Sequence, residues 1–172
     1  GKYSYATPGA ATPQHIAGEL LKMLAGIDMT HVPYRGAVFT DVIAGRVPIT
    51  LQNVGAILST VREGRLRGLA VTSLTRSPNM PEFPTVAEYG FPGFEAVSWF
   101  SFLGPLGTPA PIVTKVQQEA IKVLAQSDTR ARFAQLGLDP AGSSPDTLAA
   151  TIKSDIEKWA KVIKDAGITA GD

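Results

Sequence analysis

A chain of 172 residues with 44% apolar side chains is long enough for one domain or two small lobes, burying roughly 70% of its unfolded surface. Sixteen Lys and Arg against fifteen Asp and Glu leave a formal charge of +1 without a basic run, which argues against nucleic acid as a partner. With no cysteine, disulfides, thiolate zinc sites and a cysteine nucleophile are excluded, and no apolar run reaches the ~18 residues of a membrane helix.

Taken in order, the first seventy residues repeat one pattern of short apolar run, loop and helix. Tyr3–Ala6 reads as a strand and is followed by a small polar loop, Thr7 to Thr12. A helix from about Pro13 to Ala25 comes next, with Thr12 as N-cap, Pro13 in its first position and Gly26 as its stop. Ile16, Leu20, Met23 and Leu24 keep helical spacing along it. Asp28–Val32 is a second strand, leading through "PYRG" to a helix over Ala37–Ala44. Val47–Leu51 is a third, passing through Gln52 and Asn53 into a helix over Ala56–Arg62, and Leu66–Thr72 is a fourth. Strands alternating with helices predict an α/β fold with a mixed, mostly parallel sheet, whose ligands gather beyond the carboxyl ends of the strands. All three loops fall at that edge.

From Ser73 to Phe94 the texture changes to a proline-rich ordered connection with one short helix near Thr85–Tyr89. Val97–Leu103 is a strand candidate, Leu138–Ala141 a weaker one, and helices are expected over Pro111–Gln126, Asp128–Leu136 and Pro145–Ala166. The last has Ser144 as cap and Gly167 as stop, with Ile152, Ile156, Trp159 and Ile163 on one face. Three amphipathic helices with so little sheet cannot all be covered within this half. They pack on the first lobe, or strands from elsewhere complete the layer.

The loop Thr7–Thr12 carries the most chemistry. Gly9, Ala10 and Ala11 are small enough for a ligand to approach the backbone, and Thr7 and Thr12 add hydroxyls. The first N–H groups of the following helix lack internal acceptors and lie at its positive dipole end, so together they form an anion site. The competing reading is a plain capped helix after a glycine turn. "GAATP" is no phosphate loop, because the Gly-Lys-Ser/Thr ending is missing and no G-x-G-x-x-G occurs. His15, on the first helical turn, either donates to the ligand or holds the loop's shape. Arg35 either meets a second carboxylate or is solvated. Gln52 and Asn53 either read polar groups of a ligand or cap the next helix. Trp99 and Phe100 read as core more readily than as a ligand wall. His15 and His31 lack metal-ligand spacing, no Ser–His–acid set is arguable, and no catalytic residue, metal or cofactor is assigned.

"YSYATPGAATPQHIAGELL", "THVPYRG", "RGLAVTS", "RSPNMPEFPTVAEYGFPGFEAVSWF" and "GTPAPIV" occur in one order. Together they closely resemble the Bug family of periplasmic solute receptors, the substrate-binding proteins of tripartite tricarboxylate transporters. The resemblance covers nearly the whole chain. It implies a two-lobed periplasmic-binding fold of type II, binding a carboxylate-bearing solute between its lobes through backbone amides and water. The family's Ser/Thr-x-Gly-x-Gly-Thr pattern corresponds to Thr7, Gly9, Ala11 and Thr12 with His15 following, and Ala11 replaces the usual second glycine. Gln52 is a substitution in the aromatic–Asp/Gly–Asn stretch at Leu51–Asn53, and Ser101 stands where glycine is common.

By this mapping residues 1–95 form one ligand-binding lobe, and 96–172 are the mainly helical C-terminal portion of the other. The family's N-terminal segment has no counterpart before Gly1, so the chain is expected to be a fragment, which also explains the shortage of strands. The expected partners are a small carboxylate (a di- or tricarboxylate, an amino acid or an aromatic acid) and membrane transporter subunits, in the periplasm. Self-association is expected of a true fragment. The competing functions are an enzyme acting on a small anionic metabolite with His15 as acid or base, and the effector domain of a cytosolic regulator.

Overall fold

A computed structural model describes residues 1–36 and 38–169. Its elements run β1 (Tyr3–Thr7), α1 (Pro13–Ala25), β2 (Met29–Pro33), α2 (Val38–Ile43), β3 (Ile49–Thr50), α3 (Val54–Arg62), a 3-10 turn (Val86–Tyr89), α4 (Ala110–Ala125), α5 (Ser127–Gln135) and α6 (Pro145–Asp165). The helices fall where the sequence places them, to within two residues. The expected start of α2, Ala37, lies outside the described residues. α1 is capped at its start by Thr12, whose hydroxyl accepts from the His15 N–H, and at its end by Gly26 in the left-handed conformation that favours glycine.

The three strands form one parallel sheet in the order β2-β1-β3. β1 is central, pairing Tyr5 with both His31 and Ile49. Its inner position completely buries Tyr5, Ala6 and Thr7. Ala6 packs with Val38, Val42 and Val47, and Tyr34, Phe39 and Leu66 close over that cluster. β3 is shorter than the expected Val47–Leu51 because Pro48 has no N–H to give the ladder.

Three expected strands do not form. Leu66–Thr72 meets Pro84–Val86 only through a single bridge, Val71 with Thr85, since Pro84 cannot donate. Gly68 lies against the Phe83 ring there, where a Cβ would come within 2.6 Å of it. Val97–Leu103 and Leu138–Ala141 are irregular, with no partner strand among the described residues. Among the described residues the strand pairs are all parallel, as a mostly parallel sheet requires.

The second half carries its apolar surface outward. Trp99 and Phe100, expected in the core, are both exposed; Trp99 donates through its indole N–H to Asp155 on α6 at 2.8 Å, and Phe100 is 82% accessible. Phe102, Leu103 and Leu106 are equally open, and α4 has no buried residue. α6 packs on α1 and buries Val162, although Ile156 on its expected inner face remains exposed. Where α5 ends, the backbone of Leu136–Gly137 lies directly on the first turn of α3 at Gly55. A Cβ added to Gly137 would sit 2.4 Å from the Gly55 nitrogen. No described helix is long and apolar enough to cross a membrane.

Candidate functional site

The loop that leaves β1 is held from below by hydroxyls. Thr7 is fully buried, donating to the Gly9 carbonyl at 3.0 Å and meeting His31 Nε2 at 2.7 Å. Thr12 donates to the same Gly9 carbonyl at 2.8 Å. Two hydroxyls thus fix one carbonyl, and the chain turns back through Ala11, which takes a left-handed φ of 55°. That conformation costs an L-residue about 1–2 kcal/mol unless its surroundings hold it. The holding contact is the Ala11 N–H, which donates to His15 Nδ1 at 3.1 Å.

Behind the loop stand two histidines face to face, with ring centroids 3.7 Å apart and planes within 9°. Parallel pairing sets His31 beside Tyr5, whose ring lies 5.0 Å from the imidazole. Tyr5 donates to Glu19 Oε1 at 2.6 Å, and Lys22 reaches the same carboxylate at 2.9 Å. Glu19 Oε1 is 3.8 Å from His15 Nε2.

These contacts decide the charge states. Burial pushes the His31 imidazolium down to about 4, with repulsion from His15 adding to it and Glu19 opposing it. Burial lowers His15 as well, against the attraction of Glu19. Burial alone would raise Glu19, but hydrogen bonds from Tyr5 and Lys22 outweigh it and hold the carboxyl below its ordinary value. The Tyr5 hydroxyl is raised by burial and by Glu19 beside it. Near neutral pH the site therefore has two uncharged imidazoles over an ionised Glu19–Lys22 pair.

The loop's donors divide accordingly. Ala11 N–H is taken by His15, and Gly9 N–H leans at 3.4 Å on Thr7. The N–H groups of Ala10, Thr12 and Gln14 have no acceptor among the described residues, and the first turn of α1 offers none. The Gln14 side chain donates to Asn53 Oδ1 at 2.9 Å, tying the start of α1 to the start of α3. Asn53 consequently makes no side-chain cap on α3. Gln52 turns back to donate to Thr50, which in turn donates to the Ala6 carbonyl. Arg35 is exposed in the turn after β2, with no hydrogen bond or ion pair among the described residues.

Thr7, Gly9, Ala10, Ala11, Thr12, His15, Gln52 and Asn53 thus lie along the carboxyl edges of β1 and β3, and Arg35 follows β2. Sequence reasoning passed over Tyr5, Gln14 and Glu19, and weighed His31 only as a metal partner for His15. Part of the signal was present, since His15 and Glu19 are four apart on α1 and Tyr5 and Thr7 alternate onto one strand face. The register that brings His31 beside Tyr5 is a tertiary fact. His15 and His31 stack ring on ring, and no group of three His, Asp or Glu placed to hold a metal ion occurs among the described residues.

Comparison with known proteins places this arrangement. The family described as the tripartite tricarboxylate transporter family receptor matches residues 1–168. The UPF0065 protein in the tcbD-tcbE intergenic region of Pseudomonas sp. (strain P51) is 39% identical over 173 residues, covering 99% of this chain and 52% of that protein. The solved structure of R. palustris Rpa4515 with adipate superposes with a TM-score of 0.80 at 34% identity, over 98% of this chain and 57% of the other. MatC (Rpa3494) from Rhodopseudomonas palustris with bound malate gives a TM-score of 0.70 at 29% identity, over 94% of this chain and 56% of the other. The chain spans about half the length of most of the curated relatives it matches. With a family match over nearly all of its residues and the α/β fold of these binding proteins, the chain belongs to the tripartite tricarboxylate transporter receptor family, the Bug family that its sequence resembles.

Proposed function

We propose that the chain is part of a non-enzymatic periplasmic receptor that captures a small carboxylate-bearing solute and delivers it to the membrane subunits of a tripartite tricarboxylate transporter. The observation that carries this reading is the set of unspent N–H groups at Ala10, Thr12 and Gln14, at the positive end of α1 and the carboxyl edge of the sheet. A carboxylate offers acceptors for several such donors, and directed hydrogen bonds supply the specificity that a dipole worth about 0.3–1 kcal/mol does not. Thr7, Gly9, Ala11 and His15 shape the loop from behind. Asn53 and Gln52 flank it, and Arg35 is assigned to a second acidic group. The adipate- and malate-bound neighbours support a dicarboxylate.

Isothermal calorimetry against adipate, malate, tricarboxylates, amino acids and aromatic acids tests the reading on the complete receptor. Saturable binding of at least one dicarboxylate is expected, and silence across the whole panel would overturn it.

We further assign residues 1–95 to one lobe and 96–172 to part of the other. This rests on the confinement of the sheet to the first segment and on the open apolar surface of Phe100, Phe102, Leu103 and α4. Relatives about twice as long have additional chain to cover such a surface. The 172-residue chain alone is expected to self-associate through that face. Sedimentation velocity over a hundredfold concentration range should show the weight-average coefficient rising; a single sharp monomer boundary throughout would refute the assignment.

A further inference from the structure

We propose that His15, kept in place by its stack on His31, is a positioning residue that couples the shape of the anion loop to a proton. For affinity the proposal rests on the loop being the carboxylate site; for geometry it stands on the contacts alone. His15 Nδ1 is the acceptor for the Ala11 N–H, so that nitrogen bears no proton in this conformation. Ala11 holds a left-handed φ of 55° that an alanine does not keep unaided. Once Nδ1 is protonated, two donors face each other at 3.1 Å and the contact is lost. Freed of it, Ala11 relaxes toward the right-handed region, and the two peptide planes that flank it, carrying the N–H groups of Ala11 and Thr12, swing with it.

The surroundings make this proton expensive without forbidding it. Burial, under the neutral His31 ring stacked 3.7 Å away on β2, disfavours the charge, and Lys22 on α1 opposes it too. Glu19, 3.8 Å from Nε2, favours it, but that carboxylate is already engaged by Tyr5 on β1 and by Lys22. No charged group of α6, which packs on α1, is among those acting on either imidazole. His31 is in turn anchored by Thr7, whose hydroxyl also fixes Gly9. Loop, hydroxyl and both rings therefore form one connected unit, and acid loosens it at His15.

Nuclear magnetic resonance of the protein without ligand tests this, following the Ala11 amide and both imidazoles from pH 8 to 4. The Ala11 amide shift is expected to titrate together with His15, and its exchange protection to fall at least tenfold across that transition. The Ala6 amide in β1 should stay protected. H15N, whose amide oxygen can stand at the Nδ1 position, should keep Ala11 protected at every pH and abolish the titration. H15L should lose the protection at every pH. An Ala11 amide indifferent to the titration of His15, or still titrating in H15N, would overturn the proposal.

Adipate binding measured on the same variants separates the two readings. An adipate affinity that falls at least tenfold in H15L, survives in H15N and loses its pH dependence there supports the coupling to ligand. If wild type ignores adipate while Ala11 still follows His15, the positioning role stands and adipate as the ligand fails.

Discussion

Gly18→Val is expected to cost about 3 kcal/mol of stability and to shift the urea midpoint without changing its slope. Glycine inside a helix ordinarily loses about 1 kcal/mol to alanine, so propensity alone predicts that any replacement of Gly18 should help. Packing reverses the sign. A Cβ at Gly18 would stand 2.4 Å from Tyr5 Cε2 and 2.7 Å from Cζ. The Tyr5 ring has nowhere to retreat: it is wholly buried on the central strand, its hydroxyl is held by Glu19, and His31 lies alongside it. Overpacking of this kind costs about 1–3 kcal/mol, and valine adds two methyls and a β-branched penalty within the helix. Gly18→Ala should fall between wild type and valine, its propensity gain offsetting part of the clash. Matched urea curves for the three proteins decide the matter, and a Gly18→Val midpoint at or above wild type would refute the packing argument.

The same contact marks how far the sequence could be read. Helices with a cap and a stop were legible at both ends, because Thr12, Gly26, Ser144 and Gly167 act through their nearest neighbours in the chain. The loop Thr7–Thr12 stood out for a related reason, since small residues before a capped helix leave backbone donors open whatever the tertiary fold. Strands were harder, because a strand needs a partner. Leu66–Thr72 and Val97–Leu103 have strand-like composition, yet the first meets Pro84 and the second meets no ladder among the described residues. Trp99 and Phe100 were read as core on composition, and they lie on an exposed face. Gly18, which helix propensity alone marks as a weak point, is a close approach to Tyr5. His31, weighed in the sequence only as a metal partner for His15, is made by the parallel register the second ring of a stack with it.

That stack carries the second large expectation, a loss of stability on mild acidification. His31 titrates at 6.5 in an unfolded chain and at about 4 here, so over that interval the unfolded state binds a proton that the native state refuses. Stability is thus fully present above pH 6.5 and declines as the pH falls from 6.5 toward 4. The ceiling is about 1.4 kcal/mol per pH unit for one group. The ring keeps some contact with solvent, which brings the expected loss over the interval to about 1–2 kcal/mol. His15 is displaced in the same direction and adds to the slope. Glu19 acts lower down: its carboxyl is held below 4.5, so its contribution is present above that value and is lost as the pH falls through its native pKa. His31→Phe keeps a flat ring against His15 and Tyr5 but has no proton to take up and no nitrogen for Thr7. It should be less stable than wild type at pH 7 and should have a visibly shallower decline between pH 6.5 and 4. Urea midpoints at half-unit steps of pH measure both quantities. An equal slope in the two proteins would mean that the acid sensitivity resides elsewhere, and that His31 enters the native state as readily charged as neutral.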